Sequence, residues 1–214
     1  MSEVMSFFTF PPAFFLLLTA ALLPICNETC RKALILIAPL LTLALIWLLP
    51  DGSHLTIQFM QYSLEPLTVT AEGRLFATIF AIMAWAGGLY ALNHATITEL
   101  SAAFAYAGSA IGVTFSGDLI SLFVFWELMA LGSTLVLWAN THANPAAYSA
   151  SIRYLLVHLL GGVILMSGIV AYIQQTGSVS FERMQADSIA TGLILVGFLI
   201  NAGAPPLSAW IADA

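Results

Sequence analysis

One carboxylate lies in an apolar stretch where a charged side chain is costly. Glu127 is preceded by Phe125-Trp126 and followed by Leu128-Met129, within the mostly apolar residues 118–138. In a helix that rises about 1.5 Å per residue, it lies about 14 Å from Asp118, near the middle of a bilayer core about 30 Å thick. An ionised group there costs about 2.5–3.5 kcal/mol, so Glu127 must be protonated, paired or hydrated. A group held between these states can exchange a proton. The alternative is a structural glutamate that hydrogen-bonds to a neighbouring helix.

His158 is the second titratable residue in an apolar stretch. It follows Arg153 by about 8 Å along a helix, and the adjacent Gly161-Gly162 would let another helix come close. Imidazole titrates near neutral pH, which suits a proton relay. A neutral histidine that serves as a hydrogen-bonding partner is the alternative, and the sequence leaves both open.

The third candidate is a helix break in residues 199–207, Leu-Ile-Asn-Ala-Gly-Ala-Pro-Pro-Leu. Pro205 and Pro206 lack backbone N–H groups and interrupt a helix, which frees carbonyls near Asn201. Irregular backbone at membrane depth must be buried in protein or line a water-filled cavity, and transporters use broken helices at their ion sites. Asn201, Gly203 and the two prolines therefore join the candidate site. A simple structural kink is the alternative.

The composition indicates that membrane helices must position these groups. Of 214 residues, 60% are hydrophobic and 7% are charged, and the net charge is −6. Soluble domains carry about 25% charged residues, so this chain has too few polar groups to cover a soluble enzyme. It also lacks the basic stripe of a nucleic-acid binder. The composition predicts an all-α polytopic protein in a lipid bilayer.

Seven membrane-spanning helices of about 20 residues each are predicted. They cover residues 7–24, 33–49, 74–92, 101–115, 118–138, 152–173 and 188–211, the last broken at Pro205-Pro206. Residues 51–73 are mixed in polarity and are predicted to lie along one membrane surface. The fourth span is rich in Ala and Gly, which allow close backbone approach in lipid, so it should pack against protein. The Lys and Arg positions favour, by a small positive-inside bias, an external amino terminus.

The two cysteines of the chain, Cys26 and Cys30, lie in the first predicted loop. No further Cys or His lies near them to complete a metal site. They are interpreted as free thiols, with a disulfide as the alternative if the loop faces an oxidising compartment. The sequence contains no phosphate-binding loop, haem motif or cysteine quartet, so neither a metal nor a redox cofactor is expected in this chain.

Two segments resemble signature helices of a known family. Gly117-Asp118-Leu119-Ile120, leading into Phe125-Trp126-Glu127-Leu128-Met129, resembles the fifth helix of the antiporter-like proton-pumping subunits. These subunits occur in respiratory complex I, Mrp-type cation/proton antiporters and membrane-bound hydrogenases. Residues 197–207, with Trp210 and Asp213, resemble their broken seventh helix, and residues 154–168 are similar to their sixth. The resemblance covers roughly the whole chain and favours a D-like member of the Mrp type.

The resemblance implies roles for individual residues. Glu127 matches the family's helix-five glutamate, one half of an ion pair that gates proton movement. Asn201 stands where the family has the partner lysine, and Ser208 stands where it often has histidine. A neutral amide cannot complete an ion pair. His158 lies on the helix where the resemblance suggests a polar relay.

The family's length implies an arrangement for the whole chain. Its members have about fourteen helices with two inverted bundles, so this chain is expected to be the amino-terminal half. Helices 1–3 would occupy residues 1–98, and residues 99–214 would hold helices 4–7 of an incomplete first bundle. Two alternatives are open, a truncated product and a split subunit.

The predicted function is part of a proton or Na⁺/H⁺ translocating subunit. It would work with other membrane subunits in a complex of the bacterial inner membrane, and those partners would supply the energy. The alternative is a non-transporting scaffold that holds the partner subunits.

Overall fold

Helices account for most of the chain in the computed structural model, which describes residues 10–139, 146–185 and 187–205. In chain order the elements are α1 (Pro12–Leu22), α2 (Glu28–Leu48), β1 (Gly52–Phe59), β2 (Tyr62–Val69), α3 (Ala71–Ala91), α4 (Ile97–Phe115), α5 (Leu119–Ala139), α6 (Ala146–Thr176) and α7 (Ile189–Asn201). Several helices begin three to six residues before the predicted spans. Polar first turns explain the difference at α3 and α4, where the side chains of Thr70 and Thr96 cap the helices.

Four of the described helices are long and apolar enough to cross a membrane. They are Glu28–Leu48, Ala71–Ala91, Leu119–Ala139 and the Tyr148–Thr176 part of α6. The apolar helices α1 and α7 have 11 and 13 residues, which makes them about 17 and 20 Å long. The outer ends of the predicted spans 7–24 and 188–211 lie outside the described residues. By length and composition, the structure therefore supports four of the seven predicted spans.

The prediction of an all-α chain is wrong between α2 and α3. β1 and β2 form an antiparallel hairpin, and Met60 in its turn adopts a positive φ of 54°. Leu55, Ile57 and Phe59 alternate with polar residues in β1, which is the pattern of a strand with two unlike faces. The end of β2 is anchored because Val69 is buried in the core formed with α1–α4.

α4 is the central helix of the first half of the structure and packs against α1, α3 and α5. A Cβ added at Gly108 would lie 2.9 Å from the main-chain oxygen of Ala13 on α1. On the opposite side, a Cβ at Gly132 of α5 would lie 2.9 Å from the backbone nitrogen of Tyr106. These contacts are too close for a larger residue, so the prediction that the small residues of this helix pack against protein is confirmed.

Asp118 connects the start of α5 to the hairpin and to the segment that follows α6. Its Oδ1 accepts from the backbone N–H groups of Ile120 (2.9 Å) and Ser121 (2.8 Å), which caps the helix. Its Oδ2 accepts from the backbone N–H of Glu65 at 2.7 Å and from the Ser121 hydroxyl at 2.6 Å. The backbone N–H of the next residue donates to the oxygen of Val179 at 2.9 Å. Asp118 is 1% exposed, and one carboxylate thus joins three segments.

α6 and α7 form a second core with the start of α5. Leu165, Ile169 and Ile194 are buried in it. The two helices touch at Gly197, where an added Cβ would lie 2.7 Å from the backbone nitrogen and Cα of Leu165. α7 is therefore held at a fixed distance from α6 by backbone contact rather than by flexible side chains.

Candidate proton-translocation site

Glu127 lies on α5 with its carboxyl group against the bare backbone of α6. A Cβ added at Gly162 would lie 2.9 Å from the Cδ of Glu127, so only glycine leaves room for the carboxyl group there. The Oε1 atom is buried and has no hydrogen-bond partner among the described residues. No described Lys or Arg forms an ion pair with Glu127. The structure thus places an incompletely satisfied acid at the α5–α6 contact.

Asn201, the last residue of α7, joins three helices. Its side chain lies against Gly161 of α6, where an added Cβ would lie 2.7 Å from its Cγ. With its amide oriented to suit both neighbours, its oxygen accepts from Trp126 Nε1 at 3.2 Å and its nitrogen donates to the main-chain oxygen of His158 at 3.2 Å. Asn201 is 6% exposed. Because Trp126 precedes Glu127 on α5, these bonds fix α7 beside the acid.

The adjacent glycines bring Asn201 and Glu127 to the same level of α6. Consecutive residues of a helix point about 100° apart, so Gly161 receives the side chain from α7 and Gly162 receives the one from α5. The predicted close helix contact at this pair is confirmed. Two neighbouring helices can approach here because neither glycine carries a Cβ.

A line of polar side chains continues from Glu127 along the α5–α6 contact. The His158 ring lies 4.4 Å, centroid to centroid, from the Tyr154 ring, and the Tyr154 hydroxyl lies 2.7 Å from Ser133 Oγ on α5. Residues 154, 158 and 162 are spaced by four and share one face of α6, over about 12 Å. We call Glu127, His158, Tyr154 and Ser133 the polar seam.

The helix break lies earlier in the chain than the proline pair alone predicted. α7 ends at Asn201, and Gly203 follows with a φ of 62°. The N–H of Gly203 donates to the oxygen of Ile200 at 3.0 Å and that of Ala204 to the oxygen of Leu199 at 2.9 Å. This pair of bonds is a Schellman motif, in which glycine adopts the left-handed conformation without a steric penalty.

The prolines therefore follow a helix that has already ended, instead of kinking a continuous one. Pro205 has no N–H to offer the Asn201 carbonyl, so it prevents the helix from continuing. Pro206, Ser208, Trp210 and Asp213 lie outside the described residues.

The structure brings three of the predicted site residues together and adds three that the sequence reasoning missed. Glu127, His158 and Asn201 all lie within about one turn of the glycine pair on α6. Trp126, Ser133 and Tyr154 were not assigned roles. Tyr154 could have been found from its spacing of four before His158, but the other two depend on contacts between helices. Among the described residues, no group of three or more His, Cys, Asp or Glu is placed to hold a metal ion.

Apolar helices of membrane length around a buried acid and a polar seam define a class of protein, the multi-pass membrane protein with ionisable groups in its interior. Residues 116–214 match the family described as NADH:quinone oxidoreductase/Mrp antiporter, transmembrane. With this match, the chain belongs to the antiporter-like membrane subunit family that its motifs resemble.

Individual relatives agree with this family. The chain is 28% identical over 119 residues to the A-type subunit of the Na⁺/H⁺ antiporter of Alkalihalophilus pseudofirmus, which covers 51% of this chain and 15% of that protein. It is 25% identical over 170 residues to the chloroplastic NAD(P)H-quinone oxidoreductase subunit 5 of Mesostigma viride, covering 72% of this chain and 26% of that protein. The antiporter relative is of the A type, and the D-like assignment stays a prediction.

A solved structure shares the fold. A chain of respiratory complex I from Thermus thermophilus superposes with a TM-score of 0.76 at 18% identity, over 94% of this chain and 46% of that one. The chain thus spans about a quarter or less of the two curated relatives and less than half of the structural one.

Proposed function

We propose that this chain forms part of a proton or Na⁺/H⁺ translocating antiporter-like subunit, in which protons pass through a polar path centred on Glu127. The observation that carries the proposal is the Glu127 carboxyl group, which is packed on Gly162 with Oε1 buried and without a hydrogen-bond partner among the described residues. The polar seam extends from it along α6.

The seam is built from groups that can transfer protons in steps. A buried acceptor without a partner costs about 1–3 kcal/mol, and this cost falls when Glu127 is protonated or when water reaches it. Proton transfer needs heavy atoms about 2.6–3.2 Å apart. A seam of about 12 Å therefore requires several transfers. His158, Tyr154 and Ser133 supply successive donors and acceptors, and water would complete the chain between them.

Asn201 has a positioning role in this proposal. An amide carries no charge and does not titrate, so it cannot form the ion pair that the family resemblance implies. Its hydrogen bonds to Trp126 and to the His158 carbonyl instead hold α7 against α5 and α6 at the level of Glu127. Gly203 and Pro205 end α7 at this point, which keeps the amide at a helix terminus.

The proposal extends to the setting of the chain. It would correspond to helices one to seven of a fourteen-helix inverted-repeat fold, with helices 1–3 in residues 1–98 and part of the first antiporter-type bundle in 99–214. Its partners would be lipid, protons or Na⁺, and other membrane subunits that supply the energy. The proposed location is the bacterial inner membrane.

The test is Glu127→Gln in the assembled complex, with proton uptake into membrane vesicles followed by a pH-sensitive dye. Glutamine keeps the size of the side chain and removes the titrating group, so uptake should fall by about 100-fold or more. Glu72→Gln is the matched control because Glu72 is an exposed carboxylate in the first turn of α3, and uptake should not change. Undiminished uptake in Glu127→Gln would remove this residue from the path.

A non-transporting scaffold is the second candidate, and the bonds of Asn201 between three helices favour it. For a scaffold, Asn201→Ala should reduce the amount of assembled complex, and Asn201→Lys should leave transport by the correctly assembled complex unchanged. For a transport path, a lysine at this position introduces a charge beside Glu127 and should change the pH dependence of uptake. Quantifying complex assembly in the same vesicles separates the two results.

A further inference from the structure

The turn between α1 and α2 holds two thiols side by side. Cys26 follows α1, Cys30 lies in the first turn of α2, and their Sγ atoms are 3.3 Å apart. Both are free thiols in the structure, with Cys30 exposed and Cys26 half-buried. They are the two cysteines of the whole chain, so any reaction of its thiols reports on this turn alone.

Several hydrogen bonds order the backbone around this pair. Arg31 donates from Nε to the oxygen of Leu23 at 3.0 Å and from a terminal nitrogen to the oxygen of Cys26 at 2.9 Å. Asn27 caps α2 by accepting from the backbone N–H of Cys30 at 2.9 Å. Because the backbone on both sides is fixed, the two sulfurs stay on one face of the turn.

We infer that Cys26 and Cys30 form a reversible dithiol–disulfide site that low-molecular-weight disulfides of the glutathione type oxidise. The sulfurs need to move from 3.3 Å to about 2.05 Å, the length of a disulfide bond. The loop that closes is only five residues long, so little chain entropy is lost on closure. This site is independent of the proposed transport function.

The reaction proceeds by two thiol–disulfide exchanges. The thiolate of the exposed Cys30 attacks one sulfur of the oxidant, forms a mixed disulfide and releases one small thiol. The thiolate of Cys26 then attacks the Cys30 sulfur and releases the second small thiol. Two S–H bonds are replaced by one S–S bond, and two electrons and two protons pass to the oxidant, which leaves as two thiols.

The second step should depend on pH. The neighbouring Cys30 sulfur raises the pKa of the Cys26 thiol, and burial raises it further. Because only the thiolate attacks, ring closure should continue to accelerate at pH values above the pKa of an ordinary thiol, whereas formation of the mixed disulfide at Cys30 should not show this extra dependence.

The test uses the full chain in membrane vesicles, treated with oxidised glutathione and then labelled with a maleimide–polyethylene glycol. The reduced chain should carry two labels. The oxidised chain should carry none, migrate as a monomer and weigh two hydrogen atoms less, and dithiothreitol should restore both labels. A trivalent arsenical such as phenylarsine oxide, which needs two sulfurs, should protect the reduced chain from labelling.

The matched controls are Cys26→Ser and Cys30→Ser. Each should carry one label when reduced and, after oxidation, one glutathione. Neither should be protected by the arsenical. Two glutathiones on the oxidised wild-type chain, disulfide-linked dimers, or two thiols that stay reactive would each overturn the inference.

Discussion

Asp118→Ala should destabilise the junction between α5 and the hairpin more than any change at an exposed acid. The carboxylate is 1% exposed and accepts two backbone N–H groups of α5 as well as the N–H of Glu65 from β2. Alanine removes all of these acceptors at once, and water has little access to replace them.

The magnitude follows from the bonds that are lost. Removing a helix N-cap costs about 1 kcal/mol, and leaving the Glu65 N–H without an acceptor costs about 1–3 kcal/mol. The free energy of unfolding should therefore fall by about 2–4 kcal/mol. Asp118→Asn keeps one oxygen for the α5 amides and loses the acceptor for Glu65, so its expected cost is about 1–3 kcal/mol.

The assay is unfolding in mixed micelles followed by tryptophan fluorescence, together with amide hydrogen exchange. The Glu65 amide should exchange about 30-fold faster for a local loss of about 2 kcal/mol. Asp51→Ala is the control because its ion pair with Arg74 involves a carboxylate whose side chain is 73% exposed, and such pairs contribute about 0–1 kcal/mol. If Asp118→Ala costs no more than Asp51→Ala, the assigned role of Asp118 is wrong.

Two glycine substitutions separate function from stability. Gly162→Ala places a Cβ where the Glu127 carboxyl group lies, and because this is the end of a flexible side chain, proton uptake should fall at least tenfold while stability changes by less than about 1.5 kcal/mol; unchanged uptake would show that the carboxyl position does not matter. Gly197→Ala meets the backbone of Leu165 at 2.7 Å, so α6 and α7 must separate and unfolding in mixed micelles should be easier by about 1–3 kcal/mol. Gly192→Ala on the same helix has no atom within 4 Å of the added Cβ, and an equal loss there would contradict the packing argument.

Several features were predictable because they depend on local chemistry. Glu127 and His158 stand out in any apolar run, since a titratable group conflicts with lipid whatever the fold is. The small residues of α4 predicted a helix packed against protein for a similar reason. The β-hairpin could have been predicted from the alternation at Leu55, Ile57 and Phe59, but the surrounding apolar spans favoured an all-helical interpretation.

The sequence by itself determined that this is a membrane protein of helices with an acid in its interior, because composition and hydropathy are properties of the chain alone. Only the tertiary structure decided what that acid faces. Glu127 meets Gly162, and Asn201 meets Gly161, through contacts between residues tens of positions apart. Such contacts depend on the distances and rotations at which three helices pack, and residue spacing within one helix does not encode them.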